Sequence, residues 1–254
     1  MEKVGMDYNE SVVDKRLTSG IEGLDALLQG GYPQGSVILV AGTPGTGKTI
    51  ICFQYMNAGI TNGEKCLYLT SDERISNLIN QAKKFGFDFD AAIKSGLLKF
   101  LFLDLEKRTV HRDMEEEIRL GQYSRVVLDS LTPLSEMPVW VVNRGSEILP
   151  PDHSAMGTPV PIDSIQATRM HVRRLLGILE EDKSTALVTS EITEGTRNLS
   201  RDSVSEFLVD GILVLDLDPS MDRRKLIIRK MRGTKHTLKP RDIEINSKGG
   251  IRIL

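Results

Sequence analysis

Eight consecutive residues constrain this chain more than any others: Gly42-Thr43-Pro44-Gly45-Thr46-Gly47-Lys48-Thr49, a complete GxxxxGK[ST] phosphate loop. They follow the short β-branched run Ser36-Val-Ile-Leu-Val-Ala41, which is bounded by Gly35 and Gly42 and reads as a buried strand. A helix is predicted to begin near Gly47. Strand, glycine-rich turn and helix N-terminus in that order let backbone N–H groups converge on phosphate oxygens, with the positive end of the helix behind them. Lys48 would reach the β/γ oxygens and Thr49 would offer its hydroxyl to Mg²⁺, so Gly42 to Ile50 are the nucleotide-binding candidates.

The rest of the chain must build a sheet around that strand. Short apolar runs at Cys66 to Leu69, Leu97 to Leu103, Val126 to Leu128 and Thr185 to Val188 alternate with helical patterns at Ile75 to Phe85, Met114 to Leu120 and Ile165 to Glu180. Such alternation predicts an α/β fold, a parallel sheet with helices on its faces. After Asp210 the pattern is strand after strand (Gly211 to Leu217, Lys225 to Met231, Asp242 to Asn246, Ile251 to Ile253), so residues 210–254 are expected to form an antiparallel extension. Ser19 and Glu22 make a capping-box pattern and Gly30-Gly31 a stop, which predicts a helix over 20–29 inside a lead-in segment, 1–35. Six of the ten prolines fall between Thr132 and Asp163, marking 132–163 as a long excursion from the sheet.

With 254 residues the chain is near the size at which one core stops growing, so a single domain over 1–254 is expected. No apolar run approaches the ~18 residues of a membrane span, and no signal-peptide core follows Met1. A cytoplasmic protein without a membrane partner is expected. Cys52 and Cys66 are too few and too far apart for a disulfide framework or a zinc site, and they read as packing residues. His111, His153 and His171 show no metal-ligand spacing and read as surface or packing residues.

A phosphate loop needs a metal-side carboxylate at the end of a neighbouring strand. Asp129, directly after Val126-Val-Leu128, supplies it, so Thr49 and Asp129 are the metal candidates. Hydrolysis also needs a carboxylate to orient or deprotonate water. The run Cys66 to Thr70 leads into Ser71-Asp72-Glu73-Arg74, which puts two adjacent acids at a strand end. Successive side chains diverge there, so one should face the water, and Glu73 is favoured over Asp72.

Charge is distributed unevenly. Residues 223–241 hold Arg223, Arg224, Lys225, Arg229, Lys230, Arg232, Lys235, Lys239 and Arg241 and no acid, leaving 24 basic against 35 acidic residues elsewhere. A basic block on an acidic body suggests a local anion site or a self-complementary surface.

Two stretches carry a family resemblance. Arg16-Leu-Thr-Ser-Gly-Ile-Glu-Gly-Leu-Asp25, continuing to Gly35 and the phosphate loop, resembles the start of a KaiC domain of the RecA superfamily. Lys230-Met-Arg232-Gly-Thr-Lys-His236 resembles the KaiC element lysine-x-arginine-glycine-threonine-x-histidine. The resemblance covers nearly the whole chain as one KaiC domain. It implies a RecA-like, mostly parallel sheet and a hexameric ring with nucleotide between subunits. It also implies that Lys230 and Arg232 reach the γ-phosphate of the neighbouring subunit, with His236 at the nucleotide edge. Glu191, ending the strand Thr185 to Ser190, falls where RecA-like proteins place a γ-phosphate sensor. Before Asp210, where the family's phosphorylated clock domain has a Ser-Thr acceptor pair, this chain has Glu206-Phe207.

The function expected from these readings is a slow Mg²⁺-dependent ATPase that binds ATP and ADP, forms a homo-hexamer and regulates a protein partner through its nucleotide state. A nucleic-acid motor with the same core is less favoured, because the Pro-rich excursion carries Glu136, Glu147, Asp152 and Asp163 against Arg144 and cannot grip phosphates well. Arg169, His171, Arg173 and Arg174 are what keeps that reading in play. An ATP-binding scaffold with little turnover is the third reading. GTP is disfavoured because the chain has no Asn-Lys-x-Asp element.

Overall fold

Val37–Gly42 (β1) is buried at every position, because it runs through the interior of a nine-stranded sheet. A computed structural model describes residues 15–107, 109–137, 140–141, 148–149, 160–161, 165–180, 184–196 and 198–254. The other strands of the sheet are Cys66–Thr70 (β2), Leu98–Phe102 (β3), Arg125–Asp129 (β4), Thr185–Glu191 (β5), Gly211–Asp218 (β6), Arg223–Met231 (β7), Arg241–Asn246 (β8) and Gly250–Ile253 (β9). Their order across the sheet is β9-β8-β7-β6-β1-β5-β4-β2-β3. From β6 to β3 all neighbours are parallel, and β7, β8 and β9 join antiparallel.

The sequence pattern assigns residues 210–254 to an antiparallel extension, and the structure corrects this for β6. That strand pairs parallel with β1, from Gly211 opposite Ile38 to Leu215 opposite Gly42. Residues 192–210 return the chain to the start of β1, where Val37 N–H donates to Asp210 Oδ2 at 3.1 Å. Antiparallel pairing begins with β7, which follows β6 through the short turn 219–222, and continues through the longer connection 232–240 and the short turn 247–249.

The helices are Leu24–Leu27 (α1), Lys48–Thr61 (α2), Ile75–Lys84 (α3), Asp90–Lys94 (α4), Val110–Gly121 (α5), Leu131–Ser135 (α6), Ile165–Glu180 (α7) and Ser205–Leu208 (α8). One face of the sheet packs against Leu24, Ile51, Met56, Leu78 and Ala92 of α1 to α4. The other packs against Met114, Ile118, Leu134, Val172 and Leu179 of α5 to α7. The short α4 and α8 escape sequence reasoning because a single turn shows no periodicity.

The helix expected over 20–29 is only α1. The capping box does not form: Ser19 Oγ instead accepts Ile21 N–H at 3.1 Å, and Asp25 Oδ1 accepts Ser19 N–H at 2.8 Å. Gly31 does end the segment, at φ 127°, where a Cβ would stand 2.2 Å from Leu17 O. Of the Pro-rich stretch, Leu131–Ser135 is helical, with Pro133 in its first turn where no N–H is missed. Trp140–Val141, Ile148–Leu149 and Val160–Pro161 pair in a separate small sheet. Residues 138–139, 142–147, 150–159 and 162–163, with His153, lie outside the described residues.

Buried polar side chains tie the layers together. Arg125 is fully buried at the start of β4, pairs with Glu64, donates to Thr18 O at 2.6 Å and Tyr55 O at 3.2 Å, and lies 4.5 Å from the Tyr55 ring centre. It thereby fixes the lead-in segment to α2 and the sheet. His111 and His171 pack edge to face at 5.1 Å, and His171 Nε2 lies 2.8 Å from Leu134 O. Cys52 and Cys66 are buried free thiols. Among the described residues no helix is long and apolar enough to cross a membrane.

Candidate active site

Strand register brings the C-terminal ends of the parallel strands level. Thr70 lies opposite both Phe102 and Asp129, Leu128 opposite Val188, and Glu191 opposite Gly42. Open α/β sheets bind ligands at this end. Gly42, Asp72, Glu73, Asp129 and Glu191 all leave the sheet there.

The phosphate loop joins β1 to α2 as the sequence predicts. Gly45 and Gly47 adopt φ 81° and 106°, which glycine alone tolerates without strain. At Gly42 the constraint is space, since a Cβ would stand 2.7 Å from both Leu215 O and Thr46 Oγ1. Thr46 is buried and braces the loop by donating to Thr43 O at 2.8 Å, while Pro44 and Gly45 are exposed at its tip. Lys48 Nζ curls back to donate to Gly42 O at 2.9 Å and Thr43 O at 3.1 Å, so its ammonium lies against the carbonyls of its own loop. Burial lowers the pKa of this ammonium, against the charges of Glu191 and Asp129, which raise it. Ile50 N–H bonds to Gly47 O at 3.1 Å and its side chain packs on the core, so its contribution is to the first turn of α2.

Thr49 and Asp129 meet as expected, with Thr49 Oγ1 donating to Asp129 Oδ2 at 2.9 Å. Two partners were not foreseen: Tyr68 OH donates to the same oxygen at 2.7 Å, and Thr189 Oγ1 donates to Oδ1. A Tyr and a Thr inside apolar runs read as packing residues. The signal that could have found them is strand order, because β2 and β5 flank β4. Burial pushes the Tyr68 phenol up, and the Asp129 charge adds to it. A hydroxyl and a carboxylate are hard oxygen donors that fit Mg²⁺. Among the described residues no cluster of three His, Cys, Asp or Glu could hold a metal.

Asp72 and Glu73 diverge. Asp72 Oδ2 accepts the Ser130 hydroxyl at 2.8 Å, while Ser71 Oγ donates to Ser130 O at 3.1 Å. Asp129 and Ser130 are joined by a cis peptide. Partial desolvation raises the Asp72 carboxyl, the Ser130 hydroxyl pulls it down, and the charges of Asp129 and Glu191 raise it further. Glu73 accepts the side-chain amide of Gln81 on α3 and is raised by desolvation and by Asp129. Neither acid caps α3, whose N-cap is Arg74. The strand-end argument favours Glu73, whereas the contacts bring Asp72 into the Asp129–Ser130 corner and turn Glu73 toward α3. Glu191 is exposed at the end of β5, and its N–H donates to Thr132 Oγ1 at 3.1 Å.

Lys230, Arg232 and His236 are not brought to this end of the sheet. Gly42 pairs with Leu215, but Lys230 pairs with Ile212 and Arg232 N–H bonds to Asp210 O. At about 3.3 Å per residue and about 4.8 Å per strand, Lys230 lies about 14 Å from Gly42 and Arg232 about 19 Å. Both are held by their own chain. Lys230 Nζ donates to Val209 O and, at 3.3 Å, to Glu206 O, and Arg232 Nη1 pairs with Asp210 Oδ1 at 2.9 Å. Burial and the Arg232 charge lower the Lys230 ammonium, and Asp210 opposes them. His236 Nδ1 lies 3.0 Å from Thr234 O, and Arg16 ties this turn to the lead-in segment through Thr234 Oγ1 at 2.7 Å.

A cleft of about 610 Å³ at the edge strand β3 is not part of this constellation. Its charged side chains already have partners: Lys99 pairs with Glu117 at 2.7 Å, and Lys65 Nζ donates to the backbone Gly121 O at 2.7 Å.

The family described as "ATPase: KaiC" matches residues 17–144 and 158–254. The chain belongs to the KaiC family of ATPases. A UPF0273 protein of Methanopyrus kandleri is 31% identical over 239 residues, covering 92% of this KaiC-family chain and 90% of that protein. The circadian clock oscillator protein KaiC 1 of Synechocystis sp. is 30% identical over 225 residues, which are 87% of this chain but 41% of the clock protein. Among solved structures, a KaiC-like protein of Pyrococcus horikoshii superposes with a TM-score of 0.75 at 29% identity, covering 94% of this chain and 99% of that one. The RecA-like, mostly parallel sheet of this KaiC-family chain agrees with that likeness.

Proposed function

We propose that this KaiC-family protein is a slow Mg²⁺-dependent ATPase, that it works as a head-to-tail hexameric ring with ATP between subunits, and that its nucleotide state controls a protein partner. The observation that carries this reading is the separation, within one subunit, of a complete phosphate loop from Lys230 and Arg232. With backbones about 14 Å and 19 Å from Gly42 and charged groups held at Val209 and Asp210, these two residues do not serve the phosphates of their own loop, but in a head-to-tail ring they can serve a neighbour's.

In this reading Gly42 to Thr49 cradle the phosphates and Lys48 leaves its loop carbonyls for the β/γ oxygens. Thr49 and Asp129 would hold Mg²⁺, which supplies charge neutralisation at the transferring phosphoryl group. Asp72 orients a water in line with the γ-phosphorus and accepts its proton as the bond to the β-phosphate oxygen breaks. Glu191 faces the same end of the sheet as a γ-phosphate sensor. Lys230 and Arg232 of the adjoining subunit stabilise the transition-state charge, with His236 at the nucleotide edge.

Phosphate release from purified protein tests the chemistry. Wild type should release phosphate only with Mg²⁺, and Asp72→Asn should slow it by about 10²-fold or more while leaving ADP affinity intact. Glu73→Gln should cost less. If Glu73→Gln is the crippling change and Asp72→Asn is silent, the roles of the two acids are reversed. Absence of Mg²⁺-dependent release from wild type would reduce the protein to a nucleotide-binding scaffold.

A further inference from the structure

Asp129 accepts hydrogen bonds from three hydroxyls on three elements: Thr49 on α2, Tyr68 on β2 and Thr189 on β5. They are not equivalent. Thr49 lies in the first turn of the helix behind the phosphate loop, and its hydroxyl is one of the two groups that would hold Mg²⁺. Tyr68 and Thr189 are fully buried on the two strands that flank β4. Their hydroxyls have Asp129 as their acceptor, and neither is a metal candidate itself.

We propose that Tyr68 and Thr189 are positioning residues that clamp the Asp129 carboxylate from both sides and aim it at Mg²⁺. The inference rests on the metal-side reading of Thr49 and Asp129. A carboxylate at a strand end can turn about two side-chain bonds. One donor on each oxygen, from opposite neighbouring strands, fixes both its position and its plane before any ion is present. Tyr68 Oη holds Oδ2 and Thr189 Oγ1 holds Oδ1, so neither donor alone suffices.

The Tyr68 ring has a separate role that a phenylalanine would keep. It stacks on Phe100 with ring centres 5.0 Å apart and lies 6.1 Å from Phe53. Tyr68→Phe therefore removes the hydroxyl and preserves the packing. Partners that orient a metal ligand typically contribute about 10–100-fold to metal affinity. The loss should fall on the metal and spare the nucleotide, because the phosphate cradle of Gly42 to Lys48 is untouched.

The test is calorimetric binding of ADP, first in EDTA and then over a series of free Mg²⁺ concentrations. In EDTA, Tyr68→Phe should bind ADP within about twofold of wild type, while the Mg²⁺ concentration giving half of the metal-dependent tightening rises about 10-fold. Thr189→Val should do the same, and Thr189→Ser, which keeps a hydroxyl, should restore the wild-type midpoint. That rescue separates a positioning role from a merely structural one, and the Thr189 pair decides the matter if Tyr68→Phe does not fold. A Mg²⁺ midpoint within twofold of wild type in folded Tyr68→Phe and Thr189→Val overturns the clamp. If wild type shows no Mg²⁺-dependent tightening, or Asp129→Asn retains all of it, the metal-side reading itself falls and takes the inference with it.

Discussion

Subunit mixing gives the most demanding test of the proposed ring. One variant, Lys230→Ala with Arg232→Ala, keeps an intact phosphate loop and loses its cations. The other, Lys48→Ala, loses loop function and keeps the cations. Both should fold, since Arg232 and Asp210 form a partly solvated pair worth about 1 kcal/mol or less, Lys230 is partly exposed and leaves only the Val209 and Glu206 carbonyls to water, and the hydrogen bonds of Lys48 go only to its own loop. Each alone should be dead, because cations supplied to a phosphoryl-transfer site are worth about 10³–10⁵-fold. The strand register places Lys230 and Arg232 out of reach of Gly42 in their own subunit, so activity depends on who sits next to whom. In a head-to-tail ring assembled at random from equal amounts, a working site needs an intact loop facing intact cations, which occurs at about a quarter of interfaces. Phosphate release per subunit should recover to about a quarter of wild type. Exchange between rings is verified first with subunits carrying two different fluorescent labels. If labels mix and the mixture stays as inactive as its components, the cations do not act across an interface, and the basic strand is a partner-binding or solvated surface.

Two further expectations follow from buried charges. Because burial lowers Lys48 in the empty subunit and phosphates would raise it again, nucleotide binding between those two values takes up a proton; below them both states are already protonated. ADP titrations carried from neutral into alkaline pH, in buffers of different ionisation enthalpy, should show uptake that sets in on the alkaline side, with affinity falling as pH rises; Lys48→Met should lack it, and proton release in wild type would refute the assignment. Arg125→Ala should cost about 3 kcal/mol in urea unfolding, at the low end for a broken buried pair because Glu64 keeps some solvent, and a loss under about 1 kcal/mol would show that Arg125 does not anchor the lead-in segment.

The phosphate loop was legible because its chemistry is local. The conformations of Gly45 and Gly47 and the position of Lys48 are set within one strand-turn-helix unit, so eight residues specify them. The same holds for Asp129, whose place follows from an apolar strand that must end where the parallel sheet meets solvent. The resemblance to the KaiC family is likewise carried by contiguous residues, Arg16 to Gly35 and Lys230 to His236, and the family match extends over 17–144 and 158–254.

Tertiary structure decided whatever depends on residues distant in sequence. The β6 strand reads like the hairpin strands after it, and only its return beside β1, fixed at Val37 and Asp210, makes it parallel. Asp72 and Glu73 are adjacent acids at one strand end, where the local argument prefers Glu73, but Ser130 and Gln81, far along the chain or on the next helix, draw the two apart. Tyr68 and Thr189 are ordinary strand residues until strand order sets them on either side of Asp129. Sequence fixes local backbone geometry and hydrophobic pattern, whereas the direction of a side chain at the sheet end depends on which strands become neighbours. Strand neighbours are chosen by global packing, which a linear pattern does not contain.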